Sequence, residues 1–292
     1  MFKSGFVGII GNPNVGKSTL MNAMVGEKLS IVTSKAQTTR HRIMGIVNGE
    51  DYQIVYSDTP GILKPSYRLQ QDMVGFVDAA IGDADVVLYV TDTVEKADKN
   101  SEYVDKLGRL ECPVIIVVNK IDISEQSKVM DILAWWKERV PKATVIPASA
   151  REQFNLDTIL ETVVESLPVS PPWYDQDTLT DRNLRFFASE IIREKILQNY
   201  KQEIPYCCQV EIESFKEGAE RYDIGAIIYV MRESQKGIVI GKQGAGLKKV
   251  GTQARIDMEE FFQKKVFLRI YVKVDPDWRE NRKELRKFGY EE

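Results

Sequence analysis

Residues 6–19 read Phe6-Val7-Gly8-Ile9-Ile10-Gly11-Asn12-Pro13-Asn14-Val15-Gly16-Lys17-Ser18-Thr19, and Leu20-Met21-Asn22-Ala23-Met24 follows directly. An apolar, β-branched run ends at Gly11 and helical periodicity starts after Ser18, so the local order is strand, loop, helix start. Two glycines separated by four residues, then Lys and Ser, bring backbone N–H groups onto a phosphate chain. The Lys reaches the terminal phosphates, and the Ser hydroxyl is a Mg²⁺ ligand. Gly11, Asn12, Pro13, Asn14, Val15, Gly16, Lys17, Ser18 and Thr19 therefore form the expected phosphate-binding loop.

Outward from this loop, short β-branched runs alternate with amphipathic stretches as far as about Leu167. Phe6–Ile10, Gln53–Tyr56, Val86–Val90, Val114–Val118 and Thr144–Ile146 read as strands. Continuous runs such as Val114-Ile115-Ile116-Val117-Val118 suit strands covered on both faces, which predicts an α/β domain with a mostly parallel, doubly wound sheet. Asn48-Gly49-Glu50-Asp51 predicts an antiparallel edge hairpin between residues 41–47 and 52–57.

Pro168-Val169-Ser170-Pro171-Pro172-Trp173 cannot continue a helix and reads as extended. The expected organisation is one domain over residues 1–168, a Pro-rich linker over 169–180 and a second domain over 181–292. In the second domain Leu184, Phe187, Ala188, Ile191, Ile192 and Ile196 mark one helical face. Strand-like runs follow at about Cys207–Phe215, Ile224–Arg232 and Val266–Val274, with a long helical stretch between the last two. That is a small α+β domain in the order α-β-β-α-α-β.

The chain has 292 residues, 43% hydrophobic and 28% charged. It has no apolar run of membrane-span length and no apolar leader at Met1-Phe2-Lys3, so a cytoplasmic protein is expected. Cys112, Cys207 and Cys208 lack Cys-x-x-Cys spacing, and His41 is the sole histidine, which argues against zinc sites and Ser–His–Asp chemistry. The net charge of −3 conceals an asymmetry. Residues 1–180 carry 18 basic and 24 acidic side chains, residues 181–292 carry 22 and 19. Arg232, Lys236, Lys242, Lys248 and Lys249 cluster against Glu233 alone, as an anionic partner requires.

Further motifs fall at the ends of the expected strands, where open α/β sheets bind ligands. Asp58-Thr59-Pro60-Gly61 places a carboxylate able to hold Mg²⁺ through water and an N–H able to approach a γ-phosphate. Asn119-Lys120-Ile121-Asp122 follows a buried strand. Guanine presents two donors, N1–H and the 2-amino group, and the Asp122 carboxylate can accept both. Within Pro147-Ala148-Ser149-Ala150, Ser149 and Ala150 can add a backbone N–H to the guanine oxygen.

These motifs in this order resemble the G domain of translation-factor-related GTPases. The resemblance turns Gln37-Thr38-Thr39-Arg40-His41 into switch I, with Thr39 as the Mg²⁺ and γ-phosphate sensor and Thr38 as the alternative. It turns Asp58, Thr59, Pro60 and Gly61 into switch II. Where Ras-like enzymes carry a water-orienting Gln this chain has Ile62, so no catalytic residue is assigned. Asn14 occupies a position that helps coordinate a monovalent cation in several relatives. K⁺ beside the β- and γ-phosphates is one reading of it, and a loop hydrogen-bonder is the other.

In the second domain Ile240 precedes Gly241-Lys242-Gln243-Gly244, with Lys248 and Lys249 in the helix that follows. The loop and the topology resemble a KH domain of the type II order, which clamps the backbone of about four single-stranded nucleotides. The pairing of the two modules resembles the bacterial Era family over essentially the whole chain. That resemblance implies a switch that binds GTP and GDP, hydrolyses GTP to GDP and phosphate, uses Mg²⁺, and binds ribosomal RNA near the small-subunit 3′ end. It further implies a role in maturation of the small ribosomal subunit and partial peripheral association with the inner membrane. A monomer is expected. A signalling or trafficking GTPase whose second domain holds protein, and an RNA-binding protein with an inert nucleotide site, are rival readings; a third, a metabolic kinase, is disfavoured by Asn119–Asp122 and by the lack of an acceptor-substrate motif.

Overall fold

The computed structural model describes residues 1–96 and 101–290. Its first elements are β1 (Lys3–Gly11), α1 (Lys17–Val25), β2 (Ile43–Asn48), β3 (Tyr52–Asp58), α2 (Arg68–Gly82), β4 (Val86–Asp92), α3 (Ser101–Leu107), β5 (Val114–Asn119), α4 (Gln126–Arg139), β6 (Thr144–Pro147) and α5 (Leu156–Ser166). Six strands form one sheet in the order β2-β3-β1-β4-β5-β6, parallel apart from the β2–β3 pair. The hairpin register runs from Ile43↔Asp58 to Asn48↔Gln53. Its first strand starts at Ile43 rather than residue 41, because the basic residues before it turn inward. Arg40 is wholly buried, and Arg42 Nε donates to Ser57 Oγ at 2.9 Å.

From β1 the chain moves outward to β3 and then crosses to β4 on the other side, so the strand order reverses at β1. The loops beyond β1 and β4 diverge there and leave a crevice at the strand ends. β4 and β5 are buried along their whole length, as their unbroken apolar runs require. On one face Ile10, Val87, Tyr89, Ile116 and Val118 pack with Val77 and Trp136 from the helices. The Tyr89 and Trp136 rings lie 5.3 Å apart.

By its contacts the chain divides into Met1–Pro65 with Gln70–Asp181, and Ser66–Leu69 with the residues from Arg182 onward. The proline-containing stretch after α5 is extended and strapped to the hairpin. Gln53 Oε1 accepts from the backbone N–H groups of Trp173 and Tyr174 at 2.7 and 3.0 Å, and Ile46 N donates to Leu179 O at 2.9 Å.

The second unit holds α6 (Leu184–Asn199), α7 (Ile204–Cys207), β7 (Gln209–Glu217), β8 (Arg221–Val230), α8 (Glu233–Ile240), α9 (Ala245–Phe262), β9 (Lys265–Val274) and α10 (Arg282–Lys287). Its sheet is ordered β7-β8-β9, antiparallel in the first pair and parallel in the second. Asn183 caps α6, its Oδ1 accepting from Phe186 N at 3.0 Å. Of the expected apolar face, Ala188, Ile191, Ile192 and Ile196 enter the core, while Leu184 in the first turn stays exposed. Cys207 closes the short α7 instead of opening a strand. Both it and Cys208 are buried packing residues.

Candidate functional site

The phosphate loop occupies the crevice at the end of β1. Gly16 has φ +100°, and a Cβ there would stand 2.2 Å from Asn119 Nδ2, so only glycine lets the loop close against the base-recognition motif. Lys17 is buried and donates from Nζ to the carbonyls of Gly11 and Asn12 at 3.1 and 2.9 Å. Burial lowers its pKa to about 8 against the opposing pull of the Asp58 and Glu95 charges. The ammonium thus rests on the carbonyls of its own loop. A cleft of 540 Å³ opens in front of it, lined by Asn14, Gly16, Ser18, Thr19, Thr39 and Gly61 among others.

Three magnesium-type donors meet here. Ser18 Oγ donates to Asp58 Oδ2 at 2.7 Å and lies 2.8 Å from Thr39 Oγ1. Thr38 turns away, 2.6 Å from Thr33 Oγ1 and donating to Lys35 O at 2.6 Å. Asp58 is fully buried, and the resulting loss of solvation raises its pKa against the Ser18 hydrogen bond and the Lys17 charge. Among the described residues none hydrogen-bonds to its Oδ1. A buried carboxylate with a spare oxygen, beside two hydroxyls and a phosphate cradle, fits a hard divalent cation.

Gly61 sits against Pro13 of the phosphate loop, and Ile62 N donates to Gly11 O at 3.0 Å. The Ile62 side chain is buried in the core cluster that also holds Val77 and Tyr89. In switch I, Arg40 and His41 are buried rather than solvated, and the His41 ring lies 6.3 Å from Phe76.

At the base-recognition end Asn119 Nδ2 donates to Val15 O, while its Oδ1 accepts from Ala150 N, both at 2.9 Å. Lys120 donates from Nζ to Asn14 O and forms a 2.6 Å ion pair with Asp92. Asp122 stands exposed beyond the lined cleft, with Oδ1 accepting from Ser149 Oγ at 2.6 Å. The first three motifs are thus laced to one another by side chains.

Several participants carry no local sequence signal. Glu95 accepts from Asn12 Nδ2 at 2.7 Å and from Thr91 Oγ1 at 2.9 Å, bracing the phosphate loop from the end of β4. Arg151 and residues 31–35 line the cleft. Only the pairing of distant strand ends reveals them.

In the second unit Gly241–Gly244 joins α8 to α9. Gly241 has φ +72°, and a Cβ there would stand 2.9 Å from Gly246 N, so the turn requires glycine. Lys242 and Gln243 project from it into solvent, and Ile240 is partly buried. Beside the loop, Gly244, Leu247, Lys248, Thr252, Arg255, Leu268 and Ile270 line a groove of 400 Å³ between α9 and β9. Its floor is apolar and its rim is cationic. Lys249 is exposed but does not line this groove, whereas Arg255, two helical turns beyond Lys248, does.

A phosphate loop, a guanine-type recognition loop and paired switch segments define a P-loop GTPase domain, here followed by a KH domain. The profile of the family described as "50S ribosome-binding GTPase" matches residues 6–120, and that of the KH domain matches residues 203–279. The GTPase Era of Geobacter metallireducens is 44% identical over 292 residues, covering 99% of this chain and 98% of the relative. The GTPase Era of Clostridium kluyveri is 43% identical, covering 99% and 100%. A crystal structure of Era in complex with MgGDPNP and nucleotides 1506–1542 of 16S ribosomal RNA superimposes with TM-score 0.95 at 38% identity, covering 99% of each chain. The chain belongs to the Era family of GTPases.

Proposed function

We propose that this protein is a GTP-hydrolysing switch that binds single-stranded ribosomal RNA near the small-subunit 3′ end through its KH domain and acts in small-subunit assembly. The observation that carries the reading is the presence, in one chain, of the Ser18–Thr39–Asp58 cluster and the Gly241–Gly244 loop with its cation-rimmed groove. The complex of a relative with a GTP analogue and an RNA fragment supports it.

Ser18, Thr39 and Asp58 would hold Mg²⁺, directly or through water, and the ion would neutralise charge on the β- and γ-phosphates. Lys17 binds the phosphates with its proton in place. Asn119 and Lys120 fix the loop, and Asp122 reads the two guanine donors. Because Thr39 belongs to switch I and touches Ser18, presence or loss of the γ-phosphate is read at that hydroxyl. With Ile62 committed to the core, orientation of the attacking water falls to another group. Asn14 lines the cleft; one reading is that it would help hold K⁺ there, where the ion would supply the positive charge an arginine would otherwise bring, and the other is that it hydrogen-bonds within the loop. A cytoplasmic monomer with a fraction on the inner-membrane surface completes the reading by family likeness.

Lys242→Glu tests the RNA arm directly. It should weaken binding of a single-stranded 3′-end rRNA fragment at least tenfold and leave GTP turnover unchanged. Unaltered RNA affinity in that variant would remove the Gly241–Gly244 loop from the reading.

A further inference from the structure

The sheet of the second unit has two faces, and the groove uses only one. α6, α8 and α9 cover the face that carries Ile224, Ala226, Ile228 and Val272. On the opposite face the register pairs Asp223 with Phe267, Gly225 with Arg269, Ile227 with Tyr271 and Tyr229 with Lys273. The C-terminal segment covers one end of it: Lys287 Nζ donates to Glu211 Oε2 at 2.8 Å, and the Phe288 ring lies 5.5 Å from that of Tyr229. The β9 half stays open. Phe267 is 45% exposed and Tyr271 58%.

Cations flank the Phe267 ring. The guanidinium carbons of Arg221 and Arg269 lie 5.3 and 5.7 Å from the Phe267 centroid. Lys265 and Lys273 alternate onto the same face of β9, and Lys216 joins them through its pairing with Asp223. The acids among them are Asp223, bridged to Arg221 at 3.2 Å, and Glu213, 4.0 Å from Lys273. The local balance is positive in a chain whose net charge is −3. Protection of an edge strand accounts for lysines and arginines, but it does not account for an exposed Phe and Tyr on the same face either side of Arg269.

Phe267 and Tyr271 lie four residues apart on β9, about 13 Å along the strand, with Arg269 on the same face between them; each ring can take one unstacked base of an extended strand while the cation between them meets the intervening phosphates. We propose that this open face, centred on Phe267 and Tyr271, is a second RNA-contacting surface that takes an unpaired segment outside the Gly241–Gly244 groove. The proposal rests on the reading of the second unit as RNA-binding. A KH groove clamps about four nucleotides, which leaves the flanking nucleotides of a longer RNA available to a second surface.

The test uses the full-length protein, a short RNA that fills the groove, and a longer RNA extending the same sequence at both ends. Phe267→Ala/Tyr271→Ala should bind the short RNA as the parent does and the longer RNA about tenfold or more weakly. Arg269→Glu, which leaves both rings in place, should do likewise. Thermal unfolding and GTP turnover matching the parent establish that the variants fold. Ultraviolet crosslinking should attach the longer RNA to the peptide containing residues 265–273. Parent-like affinity for the longer RNA in both variants, with crosslinks confined to residues 241–255, would overturn the second surface and leave the groove intact. A parent protein that binds neither RNA overturns the RNA reading and this inference with it.

Discussion

The Asn119 side chain bridges to the Val15 backbone, donating from Nδ2 to the carbonyl at 2.9 Å across 104 residues of sequence. It joins the base-recognition motif to the phosphate loop, and its Oδ1 takes the Ala150 N–H from the third recognition loop. One buried carboxamide thus ties together the loops after β1, β5 and β6, which the proposed function places at the two ends of the nucleotide.

Asn119→Ala leaves a buried carbonyl and a buried N–H without partners, which costs about 1–3 kcal/mol. GTP and GDP affinities should both fall, by roughly tenfold or more, because the lost contact holds the shared frame rather than the γ-phosphate. Titration with fluorescent forms of both nucleotides checks this. A loss restricted to GTP would contradict the frame role.

Thr39→Ala and Thr38→Ala should behave differently despite their adjacency. Thr39 Oγ1 sits with Ser18 and Asp58, whereas Thr38 Oγ1 serves Thr33 and Lys35. Removing the Thr39 hydroxyl should lower the preference for a GTP analogue over GDP by about 1–2 kcal/mol, while the Thr38 change should shift both affinities together. The ratio of the two dissociation constants in each variant, with Mg²⁺ present, gives the answer.

Lys17 predicts a proton linkage. Its pKa in the free protein is lowered from 10.5 to about 8, chiefly by burial. Between those values the unfolded chain binds more protons than the folded one, so this group's contribution to the stability of the free protein rises with pH across the window. Phosphate binds the ammonium form. Proton uptake on GTP binding should be near zero at pH 7 and approach one by pH 9, with affinity falling about tenfold between them. Calorimetry in buffers of different ionisation heat measures the uptake, and a flat profile would exclude the linkage.

Glu190 and Arg193 form a buried pair on α6, with Nε to Oε1 at 2.8 Å. Glu190→Ala leaves the guanidinium buried beside a lost counter-charge and should destabilise the second unit by about 3–5 kcal/mol. Hydrogen exchange of the α6 amides should speed accordingly, with exchange in β1 and β5 unchanged.

The parts of this molecule legible in the sequence are those written in short patterns. The unbroken apolar run at Val114–Val118 announced a strand covered on both faces, and Asn48-Gly49 announced the edge hairpin, because each depends on neighbours in the chain. The role of Glu95 beside Asn12, the ion pair of Asp92 with Lys120, and the entry of Arg255 into the groove were not legible. Each is a meeting of side chains brought together by sheet order or helix packing, and one carboxylate in a polar loop looks like any other before the fold places it. The burial of Arg40 and His41 was hidden for a related reason. Their sequence is polar, and only the fold buries Arg40 and brings the His41 ring to within 6.3 Å of Phe76 on α2.

The most direct test of the account titrates the full-length protein against a short single-stranded RNA from the small-subunit 3′ end and a scrambled control, with a GTP analogue, with GDP and with no nucleotide. The account predicts sequence-specific binding that is tightest with the GTP analogue, matched by an equal gain in GTP-analogue affinity when the RNA is saturating. Equal affinity in all three nucleotide states would contradict the switch, and equal affinity for the scrambled RNA would contradict the assigned target.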